Sequence, residues 1–570
     1  MVHFLSKHLL TRNTDITLKG ASMNIGSSIR NLTYVFVVLF VALSGGLVYW
    51  QVVQADNVTS TLHNPRRCLA ENNPIRGNIY DRNGVLLATS IPDPNVCGGY
   101  IRHYTEPSLA DIIGYYVPGY ASPGIEGQYS DILDGTSGGS TVLTNQVNKV
   151  LHKSTVGNNI YLTIDVRIQR LAVAAFNNYH PLTDPFYFQT YTLADPAYPS
   201  DRGSVVITDP HNGQILAMVS SPGYDPNKMV QTLSNNDLTY YDSLVANPEQ
   251  PLIDRPLNME TTPGSTFKTV TLMAALNSGA TTLNTNWDQT QALGPLYYGG
   301  SQIIGDNLGY GEFVFHFPIN TEFAYANSDN LVFAQIGVKT GQQTWLDYAN
   351  KLYIGQQIPF DLPSTVSSVL TNQGQVQTSL TTLQLATNAF GQGIDNITPF
   401  QMSLVDDTVA NNGVLMRPML ISKITDSSNN TIASYSAQTL SNVVSATTAY
   451  QVREAMDAVT TCGSGWHLDQ NFGYDYSIAG KTGTGEIDGG QNPQGWMITQ
   501  APFTLGDQNQ MPAITITGMR ENGGEGAYAI GPAIWQMYKD IFSDGYVKAT
   551  LPTPRISDTW CPANNLWQSP

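Results

Sequence analysis

Three short polar motifs, spread over more than two hundred residues, constrain this chain most: Ser265-Thr266-Phe267-Lys268, then Ser328-Asp329-Asn330, then Lys481-Thr482-Gly483-Thr484. If they act together, the fold has to bring them to one place. Ser265 and Lys268 stand one helical turn apart, so hydroxyl and amine share a face. A lysine desolvated there beside a second cation loses its proton near neutral pH and can serve as base to the hydroxyl. Such a nucleophile needs no histidine.

The surroundings of each motif sharpen the expectation. Ser265 is the only serine followed three residues later by lysine. Pro263-Gly264 breaks the chain before it, and TVTLMAALNSG continues as a predicted helix with Gly279 as its stop. Ser265 is therefore expected at a helix N-terminus, where free N–H groups and the dipole favour an oxyanion. Ser-x-Asn also occurs at Ser234-Asn235-Asn236 and Ser427-Ser428-Asn429, both in polar, turn-rich stretches. Ser328-Asp329-Asn330 instead interrupts the apolar helical run FAYANSDNLVFAQIGV, as residues lining an interior cleft would. Lys-Thr-Gly occurs twice. Lys339-Thr340-Gly341 ends that same helix, where a cation and a glycine are ordinary capping chemistry. Lys481-Thr482-Gly483 comes after YSIA, between glycines, and reads as an extended strand closely approached by a ligand backbone.

Composition sets the location. Residues 1–30 carry Lys7, Arg12, Lys19 and Arg30 against Asp15 alone, and residues 31–55 carry no charge. The uncharged stretch contains YVFVVLFVALSGGLVYW, long enough to span a bilayer. Positive charge before it puts the N-terminus in the cytoplasm and the remainder of the chain outside, so a cell-membrane protein with an extracytoplasmic body is expected. The span exceeds a signal-peptide core, and QVVQADN offers no small-x-small cleavage site, so a retained anchor is the expectation. At net charge −17 and with no basic stripe, nucleic acid is not an expected partner. Only 12% of residues are charged, a sparse surface that would suit an acidic exterior.

The four cysteines, Cys68, Cys97, Cys462 and Cys561, all lie beyond the span, where disulfides form. Cys68–Cys97 and Cys462–Cys561 are the local pairings among the three connectivities open to them, and buried free thiols are the alternative. The nine histidines have no metal-ligand spacing, so neither metal nor cofactor is expected.

The expected organisation is a cytoplasmic tail over 1–30, a transmembrane helix over 31–53, a membrane-proximal domain over 54–190, a catalytic domain over 191–545 and a tail over 546–570. IRGNIYDRNGVLLATS reads as a hairpin about Asp81-Arg82-Asn83-Gly84. The strand NNIYLTID and the helix VRIQRLAVAAFNNY come later, before a Pro- and Gly-punctuated linker over 181–202. SVVITDPHNGQILAMVSSPGYDP gives two strands about His211-Asn212-Gly213. A helical block holds Ser265 and Ser328, GQGIDNITPFQMSLVDDTVANNG gives a helix entered through Thr398-Pro399, and strands return at 481–487, 494–500 and 512–520. Helices between separate groups of strands argue for α+β.

RGNIYDRNGVLLA, GSVVITDPHNGQILAMVSSPGYDPN, TPGSTFK and AFGQGIDNITPFQM, with the three motifs in this order, resemble the class B penicillin-binding proteins, the monofunctional transpeptidases of cell division and elongation. GYYVPGYASPGIEGQYSDILDG adds a likeness to the mycobacterial-type penicillin-binding protein A branch. The resemblance implies the penicillin-binding/β-lactamase-like fold: a five-stranded antiparallel sheet between helices, with the serine in a cleft against a helical subdomain. It implies that Ser265 attacks the carbonyl between the two terminal D-alanines of a peptidoglycan stem peptide and that Lys268 takes its proton. Ser328 would relay a proton to the leaving amine, and Asn330 would orient Lys268 and the substrate amide. Lys481, Thr482, Gly483 and Thr484 would meet the terminal carboxylate. The backbone N–H groups of Ser265 and Thr484 would form the oxyanion hole. β-Lactams would acylate the same serine. The lipid II-derived glycan strands would come from a polytopic membrane glycan polymerase of the shape, elongation, division and sporulation family. Asp329 stands where such proteins often carry another residue, and a loop-structuring role is expected of it.

Three other functions use these motifs. A β-lactamase commonly needs a glutamate to deliver water, and Glu454, the only glutamate between Asn330 and Lys481, lacks the ExxLN context. A D,D-carboxypeptidase would use the same residues with water as acceptor. The third is a non-enzymatic β-lactam-binding sensor or scaffold, and its sensor form would need a cytoplasmic signalling domain, for which residues 1–30 are too few.

Overall fold

The fold is that of a computed structural model, which describes residues 25–48, 75–96, 99–138, 142, 145–147, 156–178, 201–303, 317–468, 476–487 and 492–550. It separates into two units, Met1–Glu71 and Asn72–Pro570. In the first, Ile25–Val48 is a helix, and its residues 32–43 are all exposed. Among the described residues no helix is long and apolar enough to cross a membrane. The span expected over 31–53 is not reproduced as drawn. The helix starts earlier, taking in Ser27, Ser28 and Arg30, while residues 49–53 lie outside the described set.

The second unit holds two large sheets. The five-stranded one runs in the order Ala479–Gly485, Gln494–Ala501, Ile514–Arg520, Gly203–Asp209, Gln214–Ser221, and each neighbouring pair is antiparallel. The turn expected at His211-Asn212-Gly213 closes the last pair, with Gly213 at φ 75°. Gln494–Ala501 and Ile514–Arg520 are buried at every position because helices cover both faces. On one face lie Val166–Asn178 and Gly531–Ser543, whose Phe176, Trp535 and Tyr538 pack with Val205, Ile207 and Ile516. The other face belongs to a larger core that includes Met273, Phe400, Val405, Val452 and Ile498. Pro399–Ala410 runs through it, buried on all sides, and starts where Thr398 Oγ1 accepts the Gln401 N–H at 3.1 Å, with Pro399 just inside the helix.

The six-stranded sheet has the order Thr431–Ser434, Ile421–Thr425, Asn159–Leu162, Ile79–Tyr80, Leu86–Pro92, Tyr100–Tyr104. The expected hairpin supplies its centre: Asp81 accepts the N–H groups of Asn83 at 2.7 Å and Val85 at 2.8 Å, tightening the turn. Ile421–Thr425 and Thr431–Ser434 arrive from the far end of the chain to complete one side. Beside the sheet, Arg76 and Arg102 clamp Glu126 at 2.9 and 2.5 Å, all three buried, and Arg76 also pairs with Asp134 at 2.6 Å, so two cations meet two carboxylates.

Cys462 is disulfide-bonded, which removes the free-thiol alternative for it. Cys68, Cys97 and Cys561 lie outside the described residues, as do most of the expected linker and residues 551–570.

Candidate active site

Ser265 sits in a single 3₁₀ turn, Gly264–Phe267, that feeds directly into the helix Lys268–Ser278. In a 3₁₀ turn side chains three apart nearly eclipse. Lys268 Nζ accordingly lies 2.6 Å from Ser265 Oγ. Gly264, at φ 56°, leaves no room for a side chain: a Cβ there would stand 2.3 Å from the Thr484 carbonyl oxygen. The Pro-Gly break thus lets the serine turn rest directly on the edge strand Ala479–Gly485. Gly279 ends the helix in the left-handed conformation, as expected.

The apolar helical run breaks where Ser328-Asp329-Asn330 interrupts it. Thr321–Ala326 stops, Ser328 takes φ 63°, and Asn330–Thr340 begins. Asp329 caps the second helix, accepting the Val332 N–H at 3.0 Å, which is a structural role for this carboxylate. The corner delivers three acceptors to Lys268 Nζ: Asn330 Oδ1 at 2.6 Å, the Ser328 carbonyl at 2.9 Å and Ser328 Oγ at 3.2 Å. Lys481 reaches the same hydroxyl from the strand, with Nζ 2.9 Å from Ser328 Oγ and 2.9 Å from the Thr482 carbonyl. Both lysines are fully buried. Two ammonium groups sharing one buried hydroxyl disfavour a double charge.

The second Lys-Thr-Gly lies elsewhere. Lys339 is an exposed cation in the last turn of Asn330–Thr340, and Gly341 stands next as the cap. Ser427-Ser428-Asn429 falls in the exposed loop between Ile421–Thr425 and Thr431–Ser434, and Ser234 ends a surface helix.

Several site residues carry no motif. Gln392 Nε2 donates to the Thr484 carbonyl at 2.7 Å, and its Oε1 accepts the Glu486 N–H at 3.3 Å, fastening the end of the strand. Trp496 Nε1 donates to the Thr262 carbonyl at 3.0 Å and so holds the segment before Ser265. Tyr325 lies under Lys481, ring to Nζ 5.6 Å, and its hydroxyl is 2.8 Å from Thr269 Oγ1. Burial pushes the Tyr325 phenol up, so it stays neutral beneath the lysine. Gly391-Gln392-Gly393 between apolar residues was the one signal in the sequence that could have marked Gln392. Nothing local marks Tyr325.

Residues 203–535 match the family described as the penicillin binding protein transpeptidase domain, and residues 76–160 match the penicillin binding protein A dimerisation domain. The chain is 28% identical over 525 residues to the peptidoglycan D,D-transpeptidase PbpA of Mycolicibacterium smegmatis, covering 90% of this chain and 96% of that one. The corresponding protein of Mycobacterium tuberculosis is 27% identical over 522 residues, with the same coverage. Among solved structures, the imipenem acyl-enzyme complex of penicillin-binding protein A from M. tuberculosis superposes with a TM-score of 0.68 at 26% identity, over 83% of this chain and all of that one. With a matched transpeptidase domain over most of its length and a serine–lysine centre at the edge of its five-stranded sheet, the chain belongs to the class B penicillin-binding proteins.

Proposed function

We propose that the protein is a peptidoglycan D,D-transpeptidase that works through an acyl-enzyme at Ser265. The observation that carries this reading is the 2.6 Å contact between a fully buried lysine amine and the Ser265 hydroxyl, with Asn330 fixing that amine from the other side. A neutral Lys268 in this position takes the hydroxyl proton as Oγ attacks the carbonyl between two terminal D-alanines. The developing oxyanion is held by the backbone N–H groups of Ser265 and Thr484, a contribution of roughly 3–4 kcal/mol per donor in comparable acyl transfers. Ser328 Oγ receives hydrogen bonds from both lysines, so it passes its own proton to the departing D-alanine amine and takes in exchange the one Lys268 removed from Ser265. Lys481, Thr482 and Thr484 take the substrate's terminal carboxylate, while Gly483 lets the strand lie against the serine turn, where a Cβ would stand 2.8 Å from Thr266 Cγ2 and 3.0 Å from the Pro263 carbonyl oxygen. An amine from a neighbouring stem peptide then attacks the acyl-enzyme, forming the cross-link and freeing Ser265.

Residues 32–43, all exposed and apolar except for Thr33, support a retained membrane anchor, with the body of the protein outside the cell. A polytopic glycan polymerase in the same membrane is the partner this reading calls for. This reading calls for a division into tail, anchor, membrane-proximal domain and transpeptidase domain.

Fluorescent penicillin should label the full-length protein in detergent at Ser265, and Ser265→Ala should abolish labelling. Persistent stoichiometric labelling of that variant would sink the assignment. Supplying stem peptides with and without an acceptor amine, read by mass spectrometry, separates cross-linked dimers from the trimmed monomers a carboxypeptidase would leave. Hydrolytic turnover of a chromogenic cephalosporin would point to the lactamase reading, against which stands the placement of Glu454, the only glutamate between Asn330 and Lys481, facing Tyr450 in the helix Ala446–Thr461.

A further inference from the structure

One residue outside the three motifs touches both walls of the cleft. The Ser464 N–H donates to the Ala326 carbonyl at 2.9 Å, at the end of the helix that delivers Ser328. Its Oγ lies 2.6 Å from Thr482 Oγ1 on the strand that carries Lys481. The backbone around it has no freedom to drift. Gly463 is pressed so closely against Ala326 that a Cβ would stand 2.3 Å from the carbonyl oxygen. The Gly465 N–H returns to the Val459 carbonyl at 3.0 Å, and Cys462 is tied by its disulfide. A half-buried hydroxyl on so fixed a loop has a narrow choice of partners.

Thr482 has a single hydroxyl proton. Given to Ser464, that proton cannot be offered to an anion. The Thr482 backbone is already held, because Lys481 Nζ donates to its carbonyl at 2.9 Å. Only the direction of the hydroxyl remains to be set. We propose that Ser464 is a positioning residue: it donates its own proton to Thr482 Oγ1 and so turns the Thr482 proton toward the terminal carboxylate of the substrate. This rests on reading Thr482 as part of the carboxylate site, and the test separates the two claims.

Acylation of the full-length protein in detergent would be followed with benzylpenicillin and with its methyl ester, which lacks the carboxylate. For Ser464→Ala the benzylpenicillin concentration giving half-maximal rate should rise about tenfold, the size expected when one hydrogen bond to a charged group is lost. The limiting rate should stay within about twofold of wild type, because ground-state binding rather than the chemical step is affected. Reaction with the ester should not change, and Ser464→Thr should restore the wild-type constant. In a Thr482→Ala background, Ser464→Ala should have no further effect. Equal losses with acid and ester, a lower limiting rate at unchanged half-saturation, or no rescue by a folded Ser464→Thr variant would each overturn the role of Ser464. A wild-type protein indifferent to acid or ester would instead remove Thr482 from the carboxylate site, and the proposal with it.

Discussion

Two lysine–threonine–glycine copies, identical as text, differ in the burial of their lysines. Lys481 is sealed in the cleft against Ser328 and the Tyr325 ring, whereas Lys339 hangs in water at a helix end. Lys481→Ala should therefore slow acylation by β-lactams by about thirty- to several-thousand-fold, corresponding to roughly 2–5 kcal/mol for a buried charge-assisted contact carried into the transition state. Lys339→Ala should leave acylation at the wild-type rate, since it removes only a screened helix-end cation. Labelling both variants with fluorescent penicillin, after checking that each is folded, decides the matter. Loss of labelling in the Lys339 variant alone would exchange the two assignments. The same contrast shows what a motif conveys. Side-chain identity is written in the sequence, but desolvation, which makes a lysine a useful base or anion receptor, is a property of its surroundings.

At the level of elements, the cleft depends on how closely the serine turn lies on the edge strand. Gly264→Ala combines a positive φ with a Cβ only 2.3 Å from the Thr484 carbonyl oxygen, so the turn and strand have to part. A displacement of this kind can cost about a hundredfold in rate. Gly279→Ala, at φ 77° with nothing within 4 Å, carries a similar conformational penalty of about 1 kcal/mol without touching the site. Thermal unfolding should thus register both variants, while acylation kinetics should register only Gly264→Ala. Equal acylation by the two would mean that the turn–strand contact is not what sets the geometry. Helix and strand limits were closely legible from pattern: capping at Thr398-Pro399, the stop at Gly279 and the paired strands around Gly213 are local signals read by local physics. The 3₁₀ turn at Ser265 was not among them, because the choice between 3₁₀ and α geometry there is made by the strand pressing on Gly264.

Across the whole molecule, buried carboxyls tilt stability toward acid. Burial pushes Asp407 up to about 7, although the hydroxyls of Thr208 and Thr515 bond its carboxylate, and Asp209 adds a like charge. Asp406 beside it, in reach of Gln500, and Asp395 are pushed well above the usual carboxylate range, again by burial first. A carboxyl whose folded value is raised contributes stability that is complete below about pH 4 and is lost as pH climbs through its folded value, here about 7 for Asp407. Glu126 works the other way. Burial opposes its ionisation, but Arg102 and Arg76 outweigh that and lower its value, so its contribution is lost as the medium becomes strongly acid. Thermal unfolding of the full chain should give a higher midpoint near pH 5 than near pH 8, reflecting a difference in unfolding free energy on the order of a few kcal/mol. Asp407→Asn should flatten that decline, and a midpoint that rose toward pH 8 would refute it. An interior of this kind agrees with a chain in which only 12% of residues are charged. The sequence alone determined the one-turn spacing of Ser265 and Lys268, the order of the elements and the α+β class, because spacing, capping and hydrophobic period act over a few residues. Only the tertiary structure decided which of the two Lys-Thr-Gly lysines reaches Ser328, that Gln392, Tyr325 and Ser464 contact the segments carrying the three motifs, and that Ile421–Thr425 and Thr431–Ser434 finish a sheet begun at Ile79–Tyr80. These are contacts between segments far apart along the chain, and they are selected by packing and desolvation, which leave no local trace in the order of residues.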